Sequence, residues 1–502
     1  MRFAKAILVN PPSPPGYVIN KDSMGGFGQL YPTGVTILPP LDLPYLAGYL
    51  ADNGVSLDVL ECQGLELTPE QLARRVAEIS EGENEGRPLV VVRTSAPTLD
   101  WDLAACAQVK TAAPQAALAV YGPVVPHVRK RLYCDTALDY LLQGEPDQTV
   151  HELMSGRPEE EIRGLTYRRG QEWVEQPERP FQKELDKLPF PKWDLFPYQR
   201  YAIPRSSTKS TLPFLPMLTS RGCPFGCHYC PYPVGQGLPW RFRSPRNVVD
   251  EIEHLVKDLG IQYILFRDPM FSLRLSRVVE ICHEIQRRNL KLIWKCETRP
   301  DYLDEPTIRA MAAAGCDGIN FGVESADVAI QAGVGRKPIS QEVIISRVAL
   351  CRELGIKTFC FFIIGLPGDT VQTILSSIAF AVRLRPNWVQ FTAATPFIGT
   401  KLRAWAVDRG MVTEDEYAYI NSHSASIGNE NLTQKQVSAL HRFAKFFERY
   451  LINRGGILKD ENRKGLVYRT ALRLADGTAH VAAEGLLRLG RRHYERLCVK
   501  PA

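Results

Sequence analysis

Between residues 213 and 393 a strand pattern and a helix pattern alternate six times, a repeat that demands a parallel sheet with helices packed against it. The strands are expected at roughly 213–219, 261–266, 290–296, 317–323, 356–364 and 387–393. Amphipathic segments separate them, among them Val248 to Leu259, Ser276 to Arg287 and Ser340 to Leu354. Six βα units lack the two that would close an eight-stranded barrel, so a partial (β/α)6 barrel is expected over 212–410. In such barrels functional side chains gather at the carboxyl ends of the strands. Those ends carry Cys223 to Cys230, Asp268, Glu297 and Arg299, Glu324 and Ser325, Gly365 to Gly368, and Thr395-Pro396.

The first of these ends reads Pro216-Met-Leu-Thr-Ser-Arg-Gly-Cys-Pro-Phe-Gly-Cys-His-Tyr-Cys230. Cys223, Cys227 and Cys230 stand at C-x3-C-x2-C spacing, and Gly222, Pro224 and Gly226 keep them on a loop. Thiolates this close in sequence can converge on one metal centre. A structural zinc ion takes four protein ligands, but only three are local and no partner pair follows at zinc-finger spacing. A four-iron, four-sulfur cluster held by three thiolates keeps one iron open for a bound molecule. A zinc knuckle or three buried cysteines are the alternatives.

Cys223, Cys227, Tyr229 and Cys230 match C-x3-C-x-aromatic-C position for position, and this motif resembles the radical SAM superfamily. The resemblance implies a 4Fe-4S cluster on the three cysteines, with S-adenosyl-L-methionine (SAM) on its open iron. One electron then splits the sulfonium and releases a deoxyadenosyl radical, while the protein supplies placement and excludes water. Gly322-Val-Glu-Ser325 resembles the fourth-strand motif that contacts the methionine and ribose parts of SAM, which implicates Glu324 and Ser325. Ile364-Gly-Leu-Pro-Gly368 resembles the segment near the adenine, which implicates Gly365 and Pro367. Trp294-Lys-Cys-Glu-Thr-Arg299 resembles the third-strand end that lines the pocket. Glu297, Arg299 and Asp268 are the catalytic candidates, with ordinary rim ion pairs as the other reading. His228 and the pair Arg336-Lys337 are expected to be loop side chains, the pair solvated.

Residues 1–150 also alternate strand and helix, with strands at 4–9, 56–60, 88–94, 118–122 and 138–144. A doubly wound, Rossmann-like sheet follows. Ligands of such sheets bind beyond the strands' carboxyl ends, here Asn10, Thr94, Ser95, Gly122, Gly144 and Glu145. Such a sheet ahead of a radical SAM core resembles the cobalamin-binding radical SAM subgroup. The matching pieces are Asn10-Pro11-Pro12, the Leu43-to-Leu50 helix and Gly144-Glu145-Pro146. The D-x-H-x-x-G ligand motif of many cobalamin proteins is replaced by Pro11-Pro-Ser-Pro-Pro-Gly16, so no imidazole from this loop can ligate cobalt. The 94–98 segment is then expected under the cobalt, and an empty sheet is the alternative.

Residues 151–211 read as a linker with a small hairpin at Gly164 to Gly170, and 411–502 as a small helical domain. The net charge of +6 over 502 residues does not argue for nucleic acid. Of 12 cysteines only three cluster, and the others read as small core residues of a reduced compartment. The amino-terminal apolar stretch is too short for a signal peptide, and no window reaches the length of a membrane span, so a cytoplasmic protein is expected.

The resemblance implies a cobalamin-dependent radical SAM methyltransferase acting on an unreactive carbon of a small molecule. Its reductant would be an external one-electron donor such as flavodoxin or ferredoxin. An anaerobic oxidative cyclase is the alternative enzyme, and a non-catalytic iron–sulfur or cobalamin carrier the alternative of another class.

Overall fold

The structure, a computed structural model, describes residues 3–32, 39–82, 86–204, 211–414, 416 and 424–448. Of the helical domain expected over 411–502, only residues 411–414, 416 and 424–448 lie within the described residues. Met1–Pro224 and Cys230–Leu265 make up one compact unit. Phe225–Tyr229 and Phe266–Glu414, with the described residues 424–448, make up another.

In the first unit the opening apolar run is β1 (Phe3–Asn10). After Gly16 lies a short antiparallel hairpin, β2 (Tyr17–Asn20) with β3 (Gln29–Pro32). The chain continues through α1 (Asp42–Asp52), β4 (Leu57–Glu61), α2 (Pro69–Glu81), β5 (Arg87–Arg93) and α3 (Leu99–Ala112). Next come β6 (Ala117–Tyr121), α4 (Arg129–Tyr133), β7 (Tyr140–Leu142) and α5 (Asp147–Met154). Local chemistry starts several of these elements. Thr68 accepts from the Gln71 N–H while the Gln71 side chain reaches back to the Thr68 N–H, a capping box that fixes the start of α2. The Pro88-to-Val92 run is buried on both faces, as a central parallel strand must be. Five strands pair in parallel in the order β4-β1-β5-β6-β7. The hairpin expected near 164–170 is β8 (Leu165–Arg169) with β9 (Glu172–Glu175), and it adds two antiparallel strands beside β7.

Gly48 shows close packing overriding propensity. An Ala in the middle of α1 should be worth about 1 kcal/mol over Gly. A Cβ at Gly48, however, would overlap the Phe190 carbonyl oxygen, a backbone atom held beside α1 by the 2.9 Å bond from Lys192 N–H to the Pro44 carbonyl. Overpacking of this kind costs about 1–3 kcal/mol. Gly48→Ala is therefore expected to lower the thermal midpoint of the chain; calorimetry showing a raised midpoint would contradict this packing.

The remaining elements are β10 (Ala202–Pro204), β11 (Thr211–Met217), β12 (Ser220–Arg221), α6 (Tyr232–Gln236), β13 (Arg241–Phe242), α7 (Pro245–Lys257) and β14 (Tyr263–Phe266). They continue with α8 (Leu275–Arg287), β15 (Ile293–Thr298), α9 (Glu305–Ala313), β16 (Cys316–Glu324), α10 (Val328–Gly333) and α11 (Gln341–Glu353). The last are β17 (Lys357–Ile364), α12 (Val371–Leu384), β18 (Trp388–Ala393), α13 (Lys401–Asp408) and α14 (Gln434–Phe447). The second large sheet runs β10-β11-β14-β15-β16-β17-β18, so all six expected strands are in it, with β10 added antiparallel at the edge. β15 to β18 pair in parallel.

Residues alternate across these strands. In β15, Trp294, Cys296 and Thr298 are buried while Ile293, Lys295 and Glu297 are half-buried. The buried set faces helices: Cys316 lies beside Cys282 of α8, Cys296 and Cys351 of α11, and Cys360 lies beside Cys351. Burial raises the pKa of Cys282, Cys316, Cys351 and Cys360, so these thiols are inert core residues. The opposite face of β15–β18 carries Lys295, Glu297, Asn320, Phe359, Phe361, Trp388 and Gln390.

Candidate active site at the cysteine loop

After β11 the chain passes through β12 to Gly222, whose φ of +83° and contact with the Pro239 carbonyl leave no room for a side chain. Cys223 is buried, and its N–H donates to the Gly237 carbonyl at 3.1 Å. Further along, the His228 N–H donates to the Val334 carbonyl at 2.8 Å, and the Leu402 N–H to the His228 carbonyl at 2.9 Å. The loop is thus held in place by main-chain bonds. Cys223, Cys227 and Cys230 are thiols, the last two half-exposed. Among the described residues no three His, Cys, Asp or Glu side chains converge as the ligands of a single ion do. A cubane takes each thiolate on a different iron, so its ligands stand farther apart, and three thiols on one fixed loop fit that donor set.

Beside Cys227 and Tyr229 lies Arg336, and here the sequence expectation is corrected. Arg336 is 5% exposed, whereas Lys337 is exposed as expected. The His228 ring packs so closely on Gly335 that a Cβ there would overlap Nε2, which draws the turn after α10 under the loop. Arg336 Nη2 donates to the Gly322 carbonyl at 2.6 Å and Nη1 to the Tyr229 hydroxyl at 3.3 Å. Nη1 also stands 3.8 Å from Glu324 Oε1. The guanidinium also lies beside Cys227.

Glu324 ends β16 with a φ of +68°, uncommon outside glycine. The β16–β17 register shifts between Gly322 and Glu324, a bulge that re-aims the side chain. Gly322 is needed beside it, since a Cβ would meet Glu324 Oε1 at 2.6 Å. Burial raises the Glu324 pKa, and Arg336 and Arg299 oppose that shift. A half-buried carboxylate, a buried guanidinium, a phenol and a thiol are therefore gathered in one place.

The other candidates are placed as follows. Glu297 accepts from Arg267 Nη1 at 2.6 Å and from Asn320 Nδ2 at 3.2 Å. Arg299 pairs with Asp301 at 2.9 Å and lies over the Phe225 ring, next to the cysteine loop. Asp268 is fully buried. Ser325 is turned to α12, 3.4 Å from the Ser377 hydroxyl, and accepts from the Asp327 N–H. The Gly365–Gly368 loop is closed by Asp369, which accepts from the Gly365 and Leu366 N–H groups at 3.0 Å. Val437 of α14 packs where a Gly365 side chain would stand, and Pro367 is half-buried.

At the first sheet's carboxyl edge the polar residues are largely engaged with one another. Asn10 donates to Glu61 at 2.7 Å. Thr94 donates to Asp102 at 2.9 Å, and Asp102 is ion-paired to the buried Lys21 at 2.8 Å. Ser95 and Thr98 share a 2.7 Å bond. Gly122 lies against the Thr94 carbonyl with a φ of +149°. Glu145 accepts from Arg221 at 3.0 Å and from Arg241 at 2.8 Å, which holds its pKa down and ties it to the β12–β13 ribbon. The 94–98 segment is itself covered: the Ala96 N–H donates to the Phe27 carbonyl, and Gly28 lies against the Ser95 side chain. The surface that this edge presents is therefore built partly from the Lys21–Gly28 segment. Among the described residues Asn10 Oδ1, Asp42 Oδ1, Asp102 Oδ1 and the Tyr121 hydroxyl have no hydrogen-bond partner, and Gly144 has nothing within 4 Å of its missing Cβ. Spare polar atoms and open space at one strand edge fit a large ligand rich in amide groups.

Residues 217–381 match the family model described as the radical SAM superfamily. An uncharacterized methyltransferase of Pyrococcus horikoshii is 28% identical over 487 residues, covering 94% of this chain and 98% of that protein. The anaerobic magnesium-protoporphyrin IX monomethyl ester cyclase of Rubrivivax gelatinosus is 25% identical over 70% of this chain and 64% of its own length. Among solved structures, the radical S-adenosylmethionine methyltransferase TsrM of Kitasatospora setae, with cobalamin and a [4Fe-4S] cluster bound, superposes with a TM-score of 0.67 at 17% identity, over 98% of this chain and 99% of that one. Residues 217–381 thus match the radical SAM superfamily, and the chain has the same fold as TsrM.

Proposed function

We propose that the protein is a cobalamin-dependent radical SAM methyltransferase that methylates an unactivated carbon of a small molecule. The observation that carries this reading is the Tyr229–Arg336–Glu324 constellation beside Cys227, built on a β-bulge and two glycines that have no other evident purpose. Cys223, Cys227 and Cys230 would hold the cluster. Glu324 and Arg336 offer the charges that a zwitterionic amino acid moiety requires. Gly365 and Pro367 would border its nucleoside part, and Tyr229, through Arg336, orients the loop. Asn10, Thr94, Ser95, Gly122, Gly144 and Glu145 shape the edge at which residues 1–150 would hold cobalamin. Glu297, Arg299 and Asp268 line the strand ends where substrate would lie. When bound, the cluster with SAM supplies a carbon radical, and cobalamin carries a methyl group. The domain reading is 1–150, 151–211 as linker, 212–410 as radical SAM barrel and 411–502 as a helical domain.

The test is incubation of reduced, reconstituted protein with methyl-deuterated SAM and candidate metabolites. Methyl label in the product supports methyl transfer; an unlabelled, oxidised product would support cyclisation, the reading favoured by the similarity to the Rubrivivax cyclase. Glu324→Gln is expected to weaken SAM binding by about 1–3 kcal/mol, the value of a hydrogen bond to a charged group, with iron content unchanged. Equilibrium dialysis that shows unaltered SAM affinity would remove Glu324 from the site.

A further inference from the structure

The loop over 365–369 follows β17 at the carboxyl end of the sheet, the end at which Glu324 closes β16. Its main-chain groups are taken up by the side chains of one short segment well beyond it in sequence. Asn429 Nδ2 donates to the Leu366 carbonyl at 2.8 Å and to the Asp369 carbonyl at 3.1 Å. Asn431 Nδ2 donates to the Gly368 carbonyl at 3.1 Å and shares the Asp369 carbonyl at 3.3 Å. Glu430 accepts from the Gly368 N–H at 3.0 Å. The segment is itself held in shape, because Asn429 Oδ1 accepts from the Asn431 and Leu432 N–H groups at 2.9 Å, directly before the capping box at Thr433 that starts α14. Both ends of the buried Asn429 amide are therefore used. Gly365 and Gly368 have φ of +86° and +85°, and glycine has the most backbone freedom to lose. Bonds from outside hold such a loop in a shape that its own residues would not keep.

Apolar packing carries the arrangement to the cysteine loop. Leu366 and Ile427 lie in one buried cluster with Ile330 and Val334, and Tyr229 packs against it. The Val334 carbonyl also takes the His228 N–H. An interior packs too densely for one member of such a cluster to shift alone.

We propose that Asn429 and Asn431 are positioning residues for SAM, holding the 365–369 loop in the shape that receives the nucleoside part of the molecule. This rests on the proposed function, in which Gly365 and Pro367 border that part. Residues 429–431, expected from the sequence to belong to a separate helical domain, thereby act on the SAM site through the loop.

The experiment uses the full chain, reconstituted anaerobically, in equilibrium dialysis with two probes: SAM, and methionine, which carries the amino acid part alone. Asn429→Asp keeps the acceptor oxygen that shapes the segment but turns a second oxygen to the Leu366 and Asp369 carbonyls. SAM affinity is expected to fall at least about tenfold in this variant, as two hydrogen bonds give way to repulsion, with methionine affinity within about twofold of the parent. Asn431 is exposed, and Asn431→Ala, expected to lower SAM affinity by about threefold or more, serves if Asn429→Asp fails to fold. Iron content should equal the parent's in both. A role in stability alone would leave the SAM-to-methionine affinity ratio of the folded protein where it was, so an unchanged ratio in these variants would overturn the proposal. The unaltered chain reads the proposed function separately. If it binds SAM while the variants keep the parent's ratio, the positioning role alone falls; if it binds no SAM, the proposed function falls and this proposal with it.

Discussion

Replacing any one of Cys223, Cys227 and Cys230 with Ala is expected to abolish deoxyadenosine formation from SAM. The three thiols are the fixed ligands of a cluster that has no fourth protein ligand, so losing one leaves two and the cubane cannot be retained. The loop should keep its shape, because main-chain bonds from Cys223, His228 and Leu402 hold it. Near-normal melting with lost iron is therefore expected, about four irons per chain falling to a small fraction of that. Cys296, Cys316 and Cys360, on the helix-covered face, should behave in the opposite way when changed to Ser: iron retained, stability lowered by burial of a hydroxyl. A triplet variant that still releases deoxyadenosine at the parent rate would contradict the assignment of these ligands.

Arg336→Met is expected to destabilise the chain by about 3–5 kcal/mol, the cost of leaving a buried partner charge uncompensated. The loss is larger than a surface pair could give, because Arg336 is 5% exposed and also satisfies the Gly322 carbonyl. In the variant Glu324 must be buried charged or take up a proton. Its folded pKa is already raised by burial, and losing Arg336 raises it further. A raised folded pKa gives stability that is complete below the unfolded value and lost as pH rises through the folded value. The defect should accordingly shrink in mild acid and grow towards neutral pH. Glu324→Gln in the same chain should restore much of the stability, which a double-mutant cycle in urea measures. A loss under about 1 kcal/mol, or no coupling between the two sites, would show that the pair is not the buried unit described here.

Much of the fold is legible in the sequence because its signals are local. Thr68 and Gln71 announce α2, the Pro88-to-Val92 run announces β5, and the strands at 357–364 and 388–393 lie within a residue or two of the periodicity. The β2–β3 hairpin was not legible, since four-residue strands among Gly and Pro carry too little pattern. Nor could the sequence say that β8 and β9 extend the first sheet, because a hairpin's own residues do not name its neighbour. At the site, the cysteines, Tyr229 and Glu324 stand in a motif. Arg336 stands in none: its burial comes from the packing of His228 on Gly335, a long-range contact.

The measurement that tests the central claim most directly is chromatography of the products formed when the reconstituted, reduced full-length chain meets SAM without oxygen. Deoxyadenosine and methionine in equal amounts, dependent on the reductant, are predicted. SAM left intact by protein carrying a full complement of reduced iron would contradict the claim.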